Sequence, residues 1–309
     1  MVDSRSPWRS LAAGQVSRIR VFDVVTGASS TVYETDEAVV EAPNWTADGA
    51  SLLFNRDGGL YLVPVAGGEP VPVYTGELAA ANNDHVLDPD GLHAYTSQVD
   101  GHIYRVGIAG HEEPVRVTDP ADGLAARYLH GVTPDGAFLT FIGGAELATL
   151  APYNIYTYEL ASRALTQVSF SERRHDGAEY GPDGAWIYFN SERTSPLEGH
   201  CQLFRMRPDG SQITQLTFDE RVNWFPHPSP DGDRMVYLSY PPLTNGHPEN
   251  LPVQLVVTDP LAHRTAHRIE VFGGQGTINV PSWSPDSTRF AYVEYPVIAE
   301  RIAWTSRGV

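Results

Sequence analysis

Pro182-Asp183-Gly184-Ala185-Trp186-Ile187-Tyr188-Phe189 joins a tight turn to a short apolar strand. Proline presets one turn position and glycine supplies a positive φ, so Pro-Asp-Gly is a turn with a mechanism. The β-branched and aromatic residues after it are a strand signal. The turn recurs as Ala47-Asp48-Gly49, Pro89-Asp90-Gly91, Pro134-Asp135-Gly136 and Pro230-Asp231-Gly232, and finally as Pro285-Asp286-Ser287. Successive aspartates are 42, 45, 48, 48 and 55 residues apart.

Outward from each turn the units read alike. A short strand precedes it, as in Pro43-Asn44-Trp45, and an apolar strand follows, as in Ser51-Leu52-Leu53-Phe54. A third strand such as Leu60-Tyr61-Leu62-Val63 and a fourth such as Pro114-Val115-Arg116-Val117-Thr118 complete the unit. Four short strands in a repeat of this length make a propeller blade. The last unit, from Pro281 to Tyr295, has only two strands. The N-terminal Ile19–Asp23 and Ser30–Tyr33 look like a third and fourth strand lacking their partners. Joining the two ends closes the ring and removes sheet edges. The reading is all-β: a six-bladed β-propeller, one domain over 1–309. Its blades fall near 39–75, 81–118, 127–169, 175–218 and 222–272, with 277–295 completed by 18–34.

These units resemble the TolB-type propeller repeat, marked by a Trp-Ser-Pro-Asp-Gly-like turn before an apolar strand; Trp283-Ser284-Pro285-Asp286 is the nearest copy. Asn82-Asn83-Asp84-His85, Asp176–Tyr180, Asn190–Arg193, Asn223–His227 and Phe272–Asn279 resemble a bacterial subgroup related to oligogalacturonate lyases. That resemblance implies a divalent metal held by histidines and a glutamine, and cleavage of uronides by β-elimination. Those enzymes carry a compact Gln-x-x-His-x-His run, which this chain lacks.

The charge narrows the partners. All 21 basic residues are arginine against 38 acids, a net charge of −17. That balance repels a phosphate backbone, so no nucleic-acid partner is expected. The absence of lysine excludes a lysine nucleophile or Schiff base. Cys201 is the one cysteine, so no internal disulfide forms. The N-terminus has no apolar stretch of signal-peptide length and no run approaches a membrane span, so a cytoplasmic monomer without a membrane partner is expected. Gly273, Gly274 and Gly276 flank Gln275 with no helix following, which argues against a nucleotide cofactor and for close backbone approach.

Propeller geometry turns the repeat into a map. The innermost strand runs toward the Pro-Asp-Gly turn, so residues four to ten positions before each turn aspartate gather at the channel mouth on the opposite face. His85 and His130 sit five before their aspartates, and Glu179 and His227 four before theirs. Asn82, Asn83, Asp84, Asp176, Asn223 and Asn279 lie slightly further out. Long loops on the same face carry Arg193, His200, His247 and Glu249. His85, His130 and His227, with Glu179 or Gln275, have the donor types for one divalent ion, whether manganese, zinc or calcium. They equally suit separate structural roles. Asn83, Asn223, Gln275 and Asn279 are candidate ligand contacts, although asparagines also tie down loops. His247 and Arg193 are candidate acid–base or carboxylate-holding groups, although Arg193 could pair with Glu192 or Glu198. Arg127, Arg173, Arg174, Arg193 and Arg221 fall near this face and could reverse the sign of the field locally.

Two functions follow. One is a carbohydrate-active enzyme, a metal-assisted uronide lyase or a hydrolase, with its site in the funnel. The other is a non-catalytic TolB-like propeller that binds a protein or peptide. A concentration of His, Glu and Asn at the mouth leans toward the pocket.

Overall fold

The computed structural model describes residues 8–78, 80–146 and 153–298. Five four-stranded antiparallel sheets and one three-stranded sheet form the blades. Blade 1 is Val40–Trp45, Ser51–Arg56, Gly59–Pro64 and Val71–Pro72. Blade 2 is Ala81–Leu87, His93–Gln98, Ile103–Gly107 and Val115–Arg116. Blade 3 is Ala126–Val132, Phe138–Gly144, Asn154–Glu159 and Leu165–Gln167. Blade 4 is His175–Tyr180, Ile187–Ser191, Gln202–Met206 and Thr214–Gln215. Blade 5 is Val222–Pro228, Met235–Tyr240, Leu251–Thr258 and Thr265–Gly273.

Blade 6 draws on both ends of the chain. Arg289–Glu294 pairs antiparallel with Ser17–Asp23, which pairs in turn with Ala28–Thr35. Its innermost segment is irregular and keeps a single bridge, Trp283 to Phe290. The Trp283 indole N–H donates to the His227 carbonyl at 2.9 Å, tying blade 6 to blade 5.

Burial follows strand position. The second strand of blade 5, Met235–Tyr240, is buried throughout because blades cover both its faces. The outermost strand, Thr265–Gly273, alternates toward solvent. The turn repeat has a component beyond Pro-Asp-Gly. Hydroxyls of Thr46, Thr133, Ser229 and Ser284 donate to the aspartate two residues on, at 2.5–2.6 Å. Gly184 takes φ +66°, a left-handed conformation that favours glycine.

The innermost strands of blades 1 to 5 each carry a β-bulge, with register shifts at 41/44, 81/85, 129/131, 176/179 and 224/227. A bulge inserts unpaired residues and re-aims side chains. Ala42, Gly177 and Phe225, each six before its turn aspartate, are left-handed at φ +56°, +60° and +53°. One residue earlier, Asn83, Tyr128, Asp176, Trp224 and Asn279 all line the funnel.

Candidate functional site

The funnel holds a cavity of about 720 Å³, within the range of small-molecule sites. One wall is aromatic: Tyr128, Tyr153, Trp224 and Phe225. Another carries the amides of Asn82, Asn83, Asn245, Gln275 and Asn279. Between them lie Asp84, His130, Arg174, His175, Asp176 and His247.

His130 is itself the bulged residue of blade 3, which thrusts its ring toward the funnel. Its Nε2 lies 2.7 Å from Asp176 Oδ1, and its Nδ1 3.3 Å from the Asn279 carbonyl. Burial opposes the imidazolium, but the hydrogen bond and charge of Asp176, with Asp84 and that carbonyl, more than offset it and raise the His130 pKa. Burial likewise pushes at Asp176, yet His130, His247 and the Gly177 N–H hold its carboxyl below the usual range. Asp84 goes the other way. Burial pushes it up to about 7, outweighing the pull of His130 and of the Asn82 amide, which donates at 2.6 Å; repulsion from Asp176 and Glu41 adds to the rise. Two carboxyls driven apart around one histidine are the arrangement expected of an acid–base site.

His247 stands edge-on to Trp224, with ring centroids 4.5 Å apart, and against Phe225 at 5.4 Å. Burial lowers its pKa despite Asp176 and Gln275, so the ring is neutral near pH 7. Its Nε2 faces Asp176 Oδ2 at 3.7 Å. Arg174 reaches the loop that carries His247, with Nη1 3.4 Å from Asn245 Oδ1. His175 is buried with both ring nitrogens unpartnered. Burial, then the charge of Arg193, takes its pKa down to about 3.

The expected metal tetrad does not assemble. In blade 2 the unpaired residues are 82–84, so His85 returns to register opposite Thr96 and points between blades. Its Nδ1 meets Asn44 Oδ1 at 2.6 Å. His227 and Glu179 also follow their bulges and clasp each other across blades 4 and 5, Nδ1 to Oε2 at 2.5 Å. His227 Nε2 donates to the Ile278 carbonyl, so neither ring nitrogen is left for an ion. Of the four, only His130 lines the cavity.

Other expectations divide similarly. Asn83, Gln275, Asn279 and His247 line the cavity. Asn223 does not: it is fully buried and bonded to Asp219 and Ser239, the loop-tying role. Arg193 is not among the lining residues; its charge acts on His175, and its buried Nη1 is unpartnered. Arg127 is fully buried against Asp122 and the Gly101 carbonyl, and Arg221 is bound to Ser239. Arg174 alone of the five arginines lines the cavity. The glycines around Gln275 do mark close approach: a Cβ at Gly274 would lie 2.1 Å from the Pro248 carbonyl oxygen.

Sequence reasoning passed over His175, Tyr128 and Trp224. The signal lay in the seventh position before each turn aspartate, and in His175 preceding Asp176 directly.

Among the described residues, one group of three ligand atoms converges: Asp88, Asp90 and His93, on the opposite face. Arg105 bonds both carboxylates at 3.0 and 2.6 Å, and Glu112 takes the other His93 nitrogen at 3.0 Å. The guanidinium already supplies the positive charge there. Asp88, Asp90 and His93 form a candidate acidic–histidine metal site, with Arg105 already beside it.

No family model matches the chain. An uncharacterized protein of Agrobacterium fabrum is 38 % identical over 284 residues, covering 90 % of this chain and 92 % of its own. A solved structure from Agrobacterium tumefaciens assigned as TolB has a TM-score of 0.82 at 37 % identity, covering 92 % of this chain and 99 % of that one. An oligogalacturonate lyase in complex with manganese has a TM-score of 0.56 at 16 % identity, covering 91 % and 78 %, a likeness of fold.

Proposed function

The chain belongs to the TolB-type family of six-bladed propellers that includes the Agrobacterium protein, and on that premise we propose that its funnel is a metal-independent acid–base site for a small anionic carbohydrate. The observation that carries this reading is the Asp84–His130–Asp176 cluster, set in one cavity beside an aromatic wall and a row of amides. Tyr128, only half-buried in the aromatic wall, offers its ring to a sugar, and Asn82, Asn83 and Asn245 offer donors and acceptors to its hydroxyls. Arg174 would hold the carboxylate of a uronide, making the adjacent C–H more acidic. His247 Nε2 would take that proton, and Asp84, protonated up to about pH 7, would give one to the departing glycosidic oxygen. Atoms balance as β-elimination: the C–H and C–O bonds break, a C=C bond forms, and one proton is taken up while another is supplied.

The test is incubation with short oligogalacturonides in excess chelator, following the absorbance of the conjugated product. Product from the wild type and a loss of at least about 10²-fold in His247→Gln support the reading. Product that forms only after manganese is restored overturns it.

A second reading rests on a separate observation. Phe170, Leu197, Phe218 and Leu243 are all more than half exposed on loops of the funnel face. Exposed apolar residues grouped on one face suit a protein partner. Pull-down of a partner that is lost with Phe218→Ser and Leu243→Ser, and no turnover of any uronide, would favour that function.

A further inference from the structure

The hydrogen bonds behind His247 have a direction that starts at a backbone atom. Gly276 N–H donates to Asn279 Oδ1 at 2.8 Å. A backbone N–H only donates, so this end of the Asn279 side chain is its oxygen and the other end is its NH2. That Nδ2 donates to Gln275 Oε1 at 3.1 Å, which makes the Gln275 atom a carbonyl oxygen. His247 Nδ1 faces the same oxygen at 2.5 Å. An oxygen of this kind only accepts, so Nδ1 must carry the proton. In a neutral imidazole the lone pair then sits on Nε2.

We propose that Gln275 and Asn279 are positioning residues that hold His247 as its Nδ1–H tautomer and so make Nε2 the basic atom of the funnel. The inference rests on the reading of His247 as the base. Nε2 is the right atom for that task. It faces Asp176 Oδ2 at 3.7 Å, too far for that carboxylate to hold a proton on Nε2 by accepting a hydrogen bond from it. Once Nε2 has taken a proton, the Asp176 carboxylate stabilises the imidazolium that results. Trp224 and Phe225 hold the ring plane while the amide relay sets its protonation. The relay is short because its loop is tight: Gly274 and Gly276 adopt φ +115° and +85° on either side of Gln275.

Imidazole 15N spectroscopy of histidine-labelled protein reads the tautomer directly. The His247 signals are assigned by their loss in His247→Gln, at a pH where the ring is neutral. The wild type should show Nδ1 protonated and Nε2 bare. Asn279→Asp keeps the acceptor for Gly276 but donates nothing, so the Gln275 amide turns over and presents NH2 to both neighbours. His247 should then switch to the Nε2–H form, with kcat falling about 10²-fold or more and KM little changed. Gln275→Glu still accepts from both neighbours and should keep the wild-type tautomer. A wild-type ring protonated on Nε2, or an Asn279→Asp protein with an unswitched ring, overturns the inference. The wild-type tautomer in a protein that turns over no uronide sustains the relay and refutes the catalytic reading instead.

Discussion

His130 Nε2 and Asp176 Oδ1 lie 2.7 Å apart across the boundary between blades 3 and 4. Each holds the other in its charged form, which burial alone would disfavour. Asp84 shares their field but has no such partner, and its carboxyl rises from 3.8 to about 7. The native protein therefore keeps a proton on Asp84 that the unfolded chain releases near pH 4. Through this group, stability falls as pH climbs from about 4 to about 7.

Asp84→Asn should remove that slope. The variant should melt higher than the wild type at pH 8, by about 2–4 °C for each kcal/mol regained, and match it more closely at pH 4. Thermal melts across that range check it. A variant less stable than the wild type at pH 8 would contradict the assignment.

The Glu179–His227 clasp is a matter of stability. Burial raises the Glu179 carboxyl even against His227. His227→Ala leaves that carboxyl buried without its partner and should cost about 3–5 kcal/mol in denaturant unfolding. Metal content should not change, because neither His227 nitrogen is available to an ion. A near-neutral variant would show the pair to be solvated.

Much of this was legible in the sequence, for identifiable reasons. Six Pro-Asp-Gly-like turns at blade spacing, with strands orphaned at the two ends, specify a closed ring. Placement at the funnel mouth was legible for His130, Asn83 and Asn279 because it depends only on position before the turn. Direction was not. His85 and His130 share one offset from their turns, yet the bulge of blade 2 takes up residues 82–84 while that of blade 3 takes up His130. Bulge position depends on packing between blades, which no single repeat encodes. The protonation asymmetry of Asp84 and Asp176 was equally hidden, because it arises from burial and neighbours in other blades.

Closure by the N-terminal strands has its own consequence. Ser17–Asp23 is hydrogen-bonded to Arg289–Glu294 on one side and Ala28–Thr35 on the other. Deleting residues 1–35 strips blade 6 of both and exposes two sheet edges and the core around Ile19 and Val21. An insoluble or non-cooperatively melting product is expected, as judged by calorimetry. An unchanged melt would contradict the closure.

Gly274 links the loop backbone to the site. Gly274→Ala would place a methyl 2.1 Å from the Pro248 carbonyl oxygen at φ +115°, so the loop must shift. Gln275 and His247 should move with it. Ligand affinity should drop about 10-fold or more while the melting temperature changes by only a few degrees. Unchanged affinity would place the loop outside the site.

Calorimetric titration of the full chain with a short oligogalacturonide, in buffer containing excess chelator, tests the central claim most directly. The account predicts saturable binding at one site in the wild type. It also predicts marked weakening in Arg174→Gln and Tyr128→Ala, with folding intact. Binding that vanishes in chelator and returns with manganese, or binding indifferent to both substitutions, would contradict a metal-independent site in the funnel.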